Sequence, residues 1–348
     1  VCAFFMGYSI DFSRFSTPTG VGSLSKITFG MAIHDAIRGE MLRCPEVYLA
    51  GEDVGFRGGD FGEDMGLWAE FGSDRVVDTP ISETAIIGHA VGAAAAGLRP
   101  IVEIMHMDFT GVAMDEILNQ ASKSHYMFGG KVSIPMVIKT TGGGGVGAAA
   151  QHSQMLEALL AHVPGLKIVV PSCPADAKGL LTAAIRDNNP VVFISHKLLM
   201  AQKGEVPDGE YLVPIGKANV IRKGKDVTIV SWSKMVQEAS LAAEKLEAQG
   251  IDAEIIDLRS IKPLDEETLI KSLKKTGHLV ILHEAVRTNG FGAEVAAVMA
   301  EKAFDCLKAP ILRVTAPDCP SPFTPVLEKE YLPNADKVVA AVLQSLNN

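Results

Sequence analysis

Asp78-Thr79-Pro80-Ile81-Ser82-Glu83 sets one carboxylate at a strand-to-helix corner, just before a small, apolar, glycine-bearing run that predicts a helix from about Thr84 to Gly97. A carboxyl held against so apolar a surface favours its neutral form, and a neutral Glu can donate a proton to a ligand. The plainer reading is a cap, because Asp, Ser or Glu before a helix satisfies orphan N–H groups and the macrodipole.

Outward from this corner the chain alternates helical and strand patterns. A helix is predicted near Phe29 to Arg43, and apolar β-rich runs follow at Val47-Tyr48-Leu49, Ile101-Val102-Glu103-Ile104, Pro135-Met136-Val137-Ile138, Lys167-Ile168-Val169-Val170 and Val191-Val192-Phe193-Ile194. Helical stretches lie between most of them, notably Asp115 to Met127 and Ala175 to Ile185. Such alternation predicts an α/β fold with a mostly parallel sheet covered on both faces.

Between about Met200 and Ile215 the pattern lapses into Gly, Pro and charge, which reads as a linker. A second alternation follows: strand Val227 to Val230, helix Met235 to Gln249, strand Ala253 to Leu258, helix Glu266 to Lys275, strand Leu279 to His283, helix Gly292 to Phe304 and strand Ile311 to Val314. The expectation is two doubly wound domains, residues 25–199 and a smaller 216–348, joined by a linker at 200–215. Residues 1–24 show no helical period and are expected to be a disordered segment or a presequence remnant, since no basic stretch precedes a continuous apolar core.

A glycine-rich loop stands out at Thr140-Thr141-Gly142-Gly143-Gly144-Gly145-Val146-Gly147-Ala148-Ala149-Ala150-Gln151-His152-Ser153-Gln154. Its glycines permit angles and close approaches that other residues resist, so it can pack against a ligand or a second chain. It is no phosphate loop, because Gly-Lys-Ser/Thr is absent. Ser153 reads as the N-cap of a helix at about Gln154 to Ala161, which would bring the His152 ring out at a helix mouth, placed to exchange protons with a substrate. A lone His also reads as a surface or hydrogen-bonded structural residue.

Composition narrows the function classes. The 348 residues, 47% hydrophobic, are enough for two compact cores. The net charge of −9, from 32 basic and 41 acidic residues, comes without a basic cluster and argues against nucleic acid. No apolar run approaches the roughly 18 residues of a membrane span. The five cysteines are scattered, without paired metal-ligand spacing, as in a reducing bacterial or archaeal cytoplasm, or a mitochondrial matrix or plastid in a eukaryote.

In order along the chain, Gly51-Glu52-Asp53-Val54, Arg75-Val76-Val77-Asp78-Thr79-Pro80-Ile81-Ser82-Glu83, Gly97-Leu98-Arg99-Pro100, Tyr126-Met127-Phe128-Gly129-Gly130, Gln151-His152-Ser153-Gln154, Ala184-Ile185-Arg186-Asp187-Asn188-Asn189-Pro190 and Asp257-Leu258-Arg259-Ser260-Ile261-Lys262-Pro263-Leu264-Asp265 carry a resemblance. Together they resemble the β subunit of the heterotetrameric, transketolase-like E1 component of 2-oxo acid dehydrogenase complexes, which use thiamine diphosphate. The resemblance covers nearly everything after Ser25. It implies an N-terminal pyrimidine-binding domain and a C-terminal transketolase-like domain. It also implies that Glu83 meets the cofactor's N1′, that Ile81, Met105 and Phe109 line or stack against the pyrimidine, and that His152 lies beside the reaction centre and passes the acyl group to a lipoyl arm. Ordinary core packing would suit Ile81, Met105 and Phe109 equally well.

Met136, Ala184, Ile185, Asp187 and Asn189 fall where some relatives hold a structural potassium through backbone carbonyls; a helix end and turn account for the same residues. No Gly-Asp-Gly followed some 25 to 30 residues later by Asn is present, the pattern that carries Mg²⁺ and the diphosphate in thiamine enzymes. An α partner is therefore expected to supply that half, in an α2β2 tetramer that also docks the E2 acyltransferase through the C-terminal domain. Asn119-Gln120, Lys139-Thr140-Thr141 and Lys203-Gly204-Glu205-Val206-Pro207 look closest to the acetoin branch, with pyruvate as the other substrate expected. His106-Met107-Asp108 and Gly142 to Gly145 depart from the usual pattern. The alternatives are a branched-chain E1 β subunit, a noncatalytic E1β-like scaffold, and a self-sufficient transketolase-like enzyme.

Overall fold

The computed structural model describes residues 23–347, so most of the segment 1–24, and residue 348, lie outside the described residues. Strand β1 (Leu24–Thr28) runs into helix α1 (Phe29–Arg43), whose start is fixed by the Thr28 hydroxyl accepting the Met31 N–H at 3.1 Å. Then come β2 (Val47–Gly51), α2 (Leu67–Phe71), β3 (Val76–Asp78), α3 (Glu83–Ala95), β4 (Arg99–His106), α4 (Ser124–Met127), β5 (Val137–Gly142), α5 (Glu157–Ala161), β6 (Lys167–Val169), α6 (Pro174–Arg186) and β7 (Val191–His196). Strands β2 to β7 form a parallel sheet in the order β6-β7-β5-β4-β2-β3.

The second half holds β8 (Lys203–Pro207), β9 (Asn219–Arg222), β10 (Val227–Ser231), α7 (Met235–Glu247), β11 (Ala253–Asp257), β12 (Ser260–Lys262), α8 (Glu266–Thr276), β13 (Leu279–Val286), α9 (Phe291–Ala303), β14 (Leu312–Ala316), α10 (Pro325–Tyr331) and α11 (Ala335–Leu346). Its sheet runs β14-β13-β10-β11-β9, parallel except for the edge strand β9. Helix α8 is well delimited by sequence: Asp265 accepts the Thr268 N–H, two lysines close the last turn, and Gly277 ends it in a left-handed conformation.

Both sheets are covered on both faces because neighbouring strand residues point opposite ways. Leu49, Ile101, Val137 and Phe193 pack under α1 and α6, while Ala50, Val102, Ile138 and Val192 face α3 and α5. That second core is continuous with Val230, Ile256 and Ile281 beneath α8 and α9, so one apolar layer joins the halves; α7 and α11 cover the outer face of the second sheet.

Three local expectations change. Lys203–Pro207, inside the expected linker, is strand β8, paired antiparallel with β1. The helix expected over Asp115 to Met127 is divided into a π-helical stretch, Glu116–Ala121, and α4. The helix after the glycine loop starts at Glu157, so Ser153 does not cap it. Strand β12, from the C-terminal half, pairs antiparallel with β6 and extends the first sheet to seven strands.

Candidate active site

Strand β2 is flanked by β3 and β4, and from there the chain builds outward in opposite directions, so a crevice opens at the carboxyl ends of these strands. Glu52 leaves β2, the turn to Glu83 leaves β3, Met105 and His106 close β4, and the glycine-rich loop leaves β5. Asp78 shapes the near wall by accepting the Gly55 N–H at 2.6 Å.

Glu83 is the first residue of α3 and only 8% exposed. Ser82, at the cap position, makes no side-chain capping bond, and the Glu83 carboxyl has no hydrogen bond or ion pair among the described residues. Its neighbour is another acid: burial, then the charge of Glu83, push the Glu52 carboxyl above its ordinary value. Among the described residues no hydrogen bond or ion pair engages either carboxyl, which leaves acceptor capacity free at this corner.

Beside it the short 3₁₀ turn Met107–Gly111 carries Phe109, and Thr84 ties the start of α3 to the end of that turn by donating to the Val112 carbonyl at 2.9 Å. The His152 ring lies edge-on to His106 at 4.9 Å and to Phe109 at 5.2 Å between centroids. Met105 is partly buried at the end of β4, and Ile81 is 80% exposed at the mouth of the crevice. Of the residues singled out from sequence, His152 and Phe109 are in direct contact, and the start of α3, where Glu83 lies, is tied by Thr84 to the end of the turn that carries Phe109.

Two members of this site carried no role in the sequence reading. His106 meets the His152 ring edge-on, with its Nε2 3.8 Å from Asp60, and burial, Lys197 and His152 push its pKa down to about 4, so it is neutral near pH 7. Its signal was the departure at His106-Met107-Asp108, at a strand's carboxyl end. Lys197 donates to the Gly143 carbonyl at 3.2 Å and to the His152 carbonyl, fastening both ends of the glycine loop. Nothing local in the sequence marks that contact.

Four of the five carbonyls considered for potassium, those of Met136, Ala184, Ile185 and Asp187, already have protein donors. Arg99 donates to the Ile185 carbonyl at 2.9 Å and the Asp187 carbonyl at 2.7 Å; Met136 O accepts from Val191, and Ala184 O from Asp187. The Asp187 carboxylate binds Lys167 and the backbone and side chain of Asn189. The helix-end reading thus accounts for these groups, and a cation there would share carbonyls with the guanidinium.

Residues 25–203 match the family model of the transketolase pyrimidine binding domain, and residues 216–338 that of the transketolase C-terminal domain. A Cupriavidus necator protein, acetoin:2,6-dichlorophenolindophenol oxidoreductase subunit beta, is 49% identical over 331 residues, 92% of this chain and 98% of that one. The chain belongs to the E1 β subunits of the transketolase family. Within the family it is also 45% identical to the pyruvate dehydrogenase E1 component subunit beta of Staphylococcus epidermidis, over 91% of this chain and 97% of that one. Among solved structures, a split-gene transketolase described as an inactive β4 tetramer superposes with a TM-score of 0.76 at 27% identity, covering 92% of this chain and 99% of its own. For this E1 β chain, no helix among the described residues is long and apolar enough to cross a membrane.

Proposed function

We propose that this E1 β chain supplies the pyrimidine half of a thiamine diphosphate site shared with an α subunit, in an α2β2 enzyme that cleaves acetoin or decarboxylates pyruvate and passes the acyl group to a lipoyl arm. The observation that carries the reading is the Glu83 carboxyl: buried at the switch point, raising the neighbouring Glu52 through its charge, and without a partner among the described residues. A buried polar group in that position calls for a ligand donor or acceptor, and an aminopyrimidine nitrogen fits it.

When bound, thiamine diphosphate supplies the nucleophilic carbon and the electron sink. The chain's own residues bind and orient. Glu83 holds a proton toward the ring nitrogen N1′, Ile81, Met105 and Phe109 give an apolar wall that excludes water, and His152 moves a proton beside the reacting carbonyl. Mg²⁺ and the diphosphate fall to the α subunit, since the Gly-Asp-Gly and Asn pattern is absent from this sequence. Docking of E2 on the C-terminal domain and a potassium at Met136, Ala184, Ile185, Asp187 and Asn189, shared with the Arg99 guanidinium, belong to the same proposal, as does a cytoplasmic setting, or a matrix or plastid one in a eukaryote. Acetoin is the first substrate to test, because a relative named for acetoin shares more of the sequence than the pyruvate one, 49% against 45%.

The test is co-expression with an α partner and dye reduction with acetoin, pyruvate and a branched 2-oxo acid, with thiamine diphosphate and Mg²⁺ added. Turnover is expected only with the partner present and is lost in Glu83→Gln. Full activity of the β chain alone, or near-wild-type turnover of Glu83→Gln with saturating cofactor, overturns the reading.

A further inference from the structure

The glycine-rich loop leaving β5 closes on two carboxylates from the other half of the chain. Gly143 and Gly145 have φ of +88° and +98°, a conformation that L side chains resist, and a Cβ on Gly143 would lie 2.0 Å from His196 Nε2. Alternation of left-handed and ordinary backbone turns successive N–H groups to one side, forming a concavity suited to anions. Glutamates fill it. Gly144 N–H donates to Glu284 at 2.7 Å, while the Gly145 and Gly147 N–H groups donate to the two oxygens of Glu328 at 2.8 and 3.0 Å.

The first carboxylate is itself fixed. Leu198 N–H donates to His196 Nδ1 at 3.1 Å, which places the ring proton on Nε2, and Nε2 donates to the second oxygen of Glu284 at 2.8 Å. Glu284 and Glu328 are 6% and 3% exposed. With Lys197 holding the Gly143 and His152 carbonyls from the other side, both faces of the loop are anchored, and the loop ends at His152.

We infer that Glu284 and Glu328 are positioning residues for His152: the C-terminal half sets the course of the loop, and the loop sets the ring. This rests on the reading of His152 given above. A run of glycines loses more backbone freedom on folding than any other composition, so without these acceptors the loop would populate many courses and the ring many positions. Charge-assisted bonds to successive amides are the stronger kind and restrict direction as well as distance.

The experiment uses the complex with the α subunit and the variants Glu284→Ala, Glu328→Ala, Glu328→Gln, His152→Ala and the double His152→Ala/Glu328→Ala. Amide hydrogen exchange over residues 143–153 is expected to rise about tenfold or more in Glu328→Ala. The kcat for acyl transfer is expected to fall about 10- to 100-fold at little-changed KM, with Glu328→Gln intermediate because it keeps one acceptor oxygen. The double variant should be no slower than His152→Ala. Unchanged loop exchange in folded Glu328→Ala and Glu328→Gln overturns the inference, as does a double variant whose loss is the product of the single losses. Should Glu328→Ala fail to fold, Glu328→Gln carries the same comparison. If His152→Ala transfers at the wild-type rate, the reading of His152 fails, and exchange of the loop still decides whether the carboxylates hold it.

Discussion

Glu63, Asp64 and Glu103 surround the Lys139 ammonium at 2.9, 3.2 and 2.9 Å, with all four side chains at most 2% exposed. Glu83 and Glu52, beyond the carboxyl ends of β3 and β2 in the same sheet, are close enough for the charge of Glu83 to raise Glu52, and neither has an ion-pair partner among the described residues. Lys139 occupies the place a metal ion would take among the three carboxylates. One ammonium against three acids still leaves excess charge: burial pushes Glu103 up to about 8 and Asp64 up to about 6, whereas at Glu63 burial is outweighed by the Lys139 charge together with hydrogen bonds from Lys139 and backbone N–H groups, which hold it low. The difference teaches that burial of an acid does not by itself mark a site. An acid whose counter-ion lies within its own chain is structural, and an acid left open at a switch point is the kind that the proposed reading assigns to a ligand.

The sharpest way to break this comparison is to neutralise each kind of acid. Glu83→Gln should reduce turnover of the α-bound enzyme by about 10²–10⁴-fold while leaving the thermal midpoint of the chain unchanged or higher, because no internal pair is lost. A marked drop in midpoint would mean that Glu83 belongs with the structural acids. Lys139→Met should do the reverse, costing about 3–5 kcal/mol in urea unfolding by stranding three buried carboxyls; a midpoint close to wild type would sink the structural assignment.

Glu157 sharpens the contrast through pH. It is fully buried, accepts from Trp232 Nε1 at 3.1 Å through one oxygen, has no partner for the other, and is pushed up to about 7 by burial. The folded chain therefore keeps this proton up to about pH 7, and the unfolded chain releases it near about pH 4.3. Between those values folding takes up a proton, so stability falls as pH rises through the window and the whole penalty is present above it. Glu157→Gln should be more stable than wild type by about 1–3 kcal/mol at pH 8 and gain nothing at pH 4; an equal gain at both pH values would contradict the burial origin. The smallest effect belongs to the exposed Arg38–Glu70 pair at 2.7 Å. Arg38→Ala should leave the urea midpoint unchanged, and a clear shift would show that ion pairs outside the core also matter here.

Much of the fold was legible because it depends on local period. Helix α1 was predicted over Phe29 to Arg43, and the structure ends it at the same residues; the parallel strands betrayed themselves as short β-branched runs. Strand β8 escaped notice because Lys203–Pro207 contains Gly, Pro and charge, and its alternation of exposed and buried residues comes from pairing with β1, far away in sequence. Three-residue β12 is too short to show a period. The Asp115 to Met127 pattern gave helix but not the π-helical stretch in its first half, which the backbone hydrogen bonds define.

For the site, the sequence by itself determined that one carboxylate opens an apolar helix at Glu83, that a glycine-rich loop leads to His152, and which family both resemble; each follows from residue type at short spacing. Only the tertiary structure decided which acids find partners. Lys139 meets Glu63 from 76 residues away, and Gly144 meets Glu284 from 140 residues away. Those meetings follow from the order of strands within two sheets and from the shared core that joins them, and strand order is set by packing among distant segments, which no local pattern along the chain records.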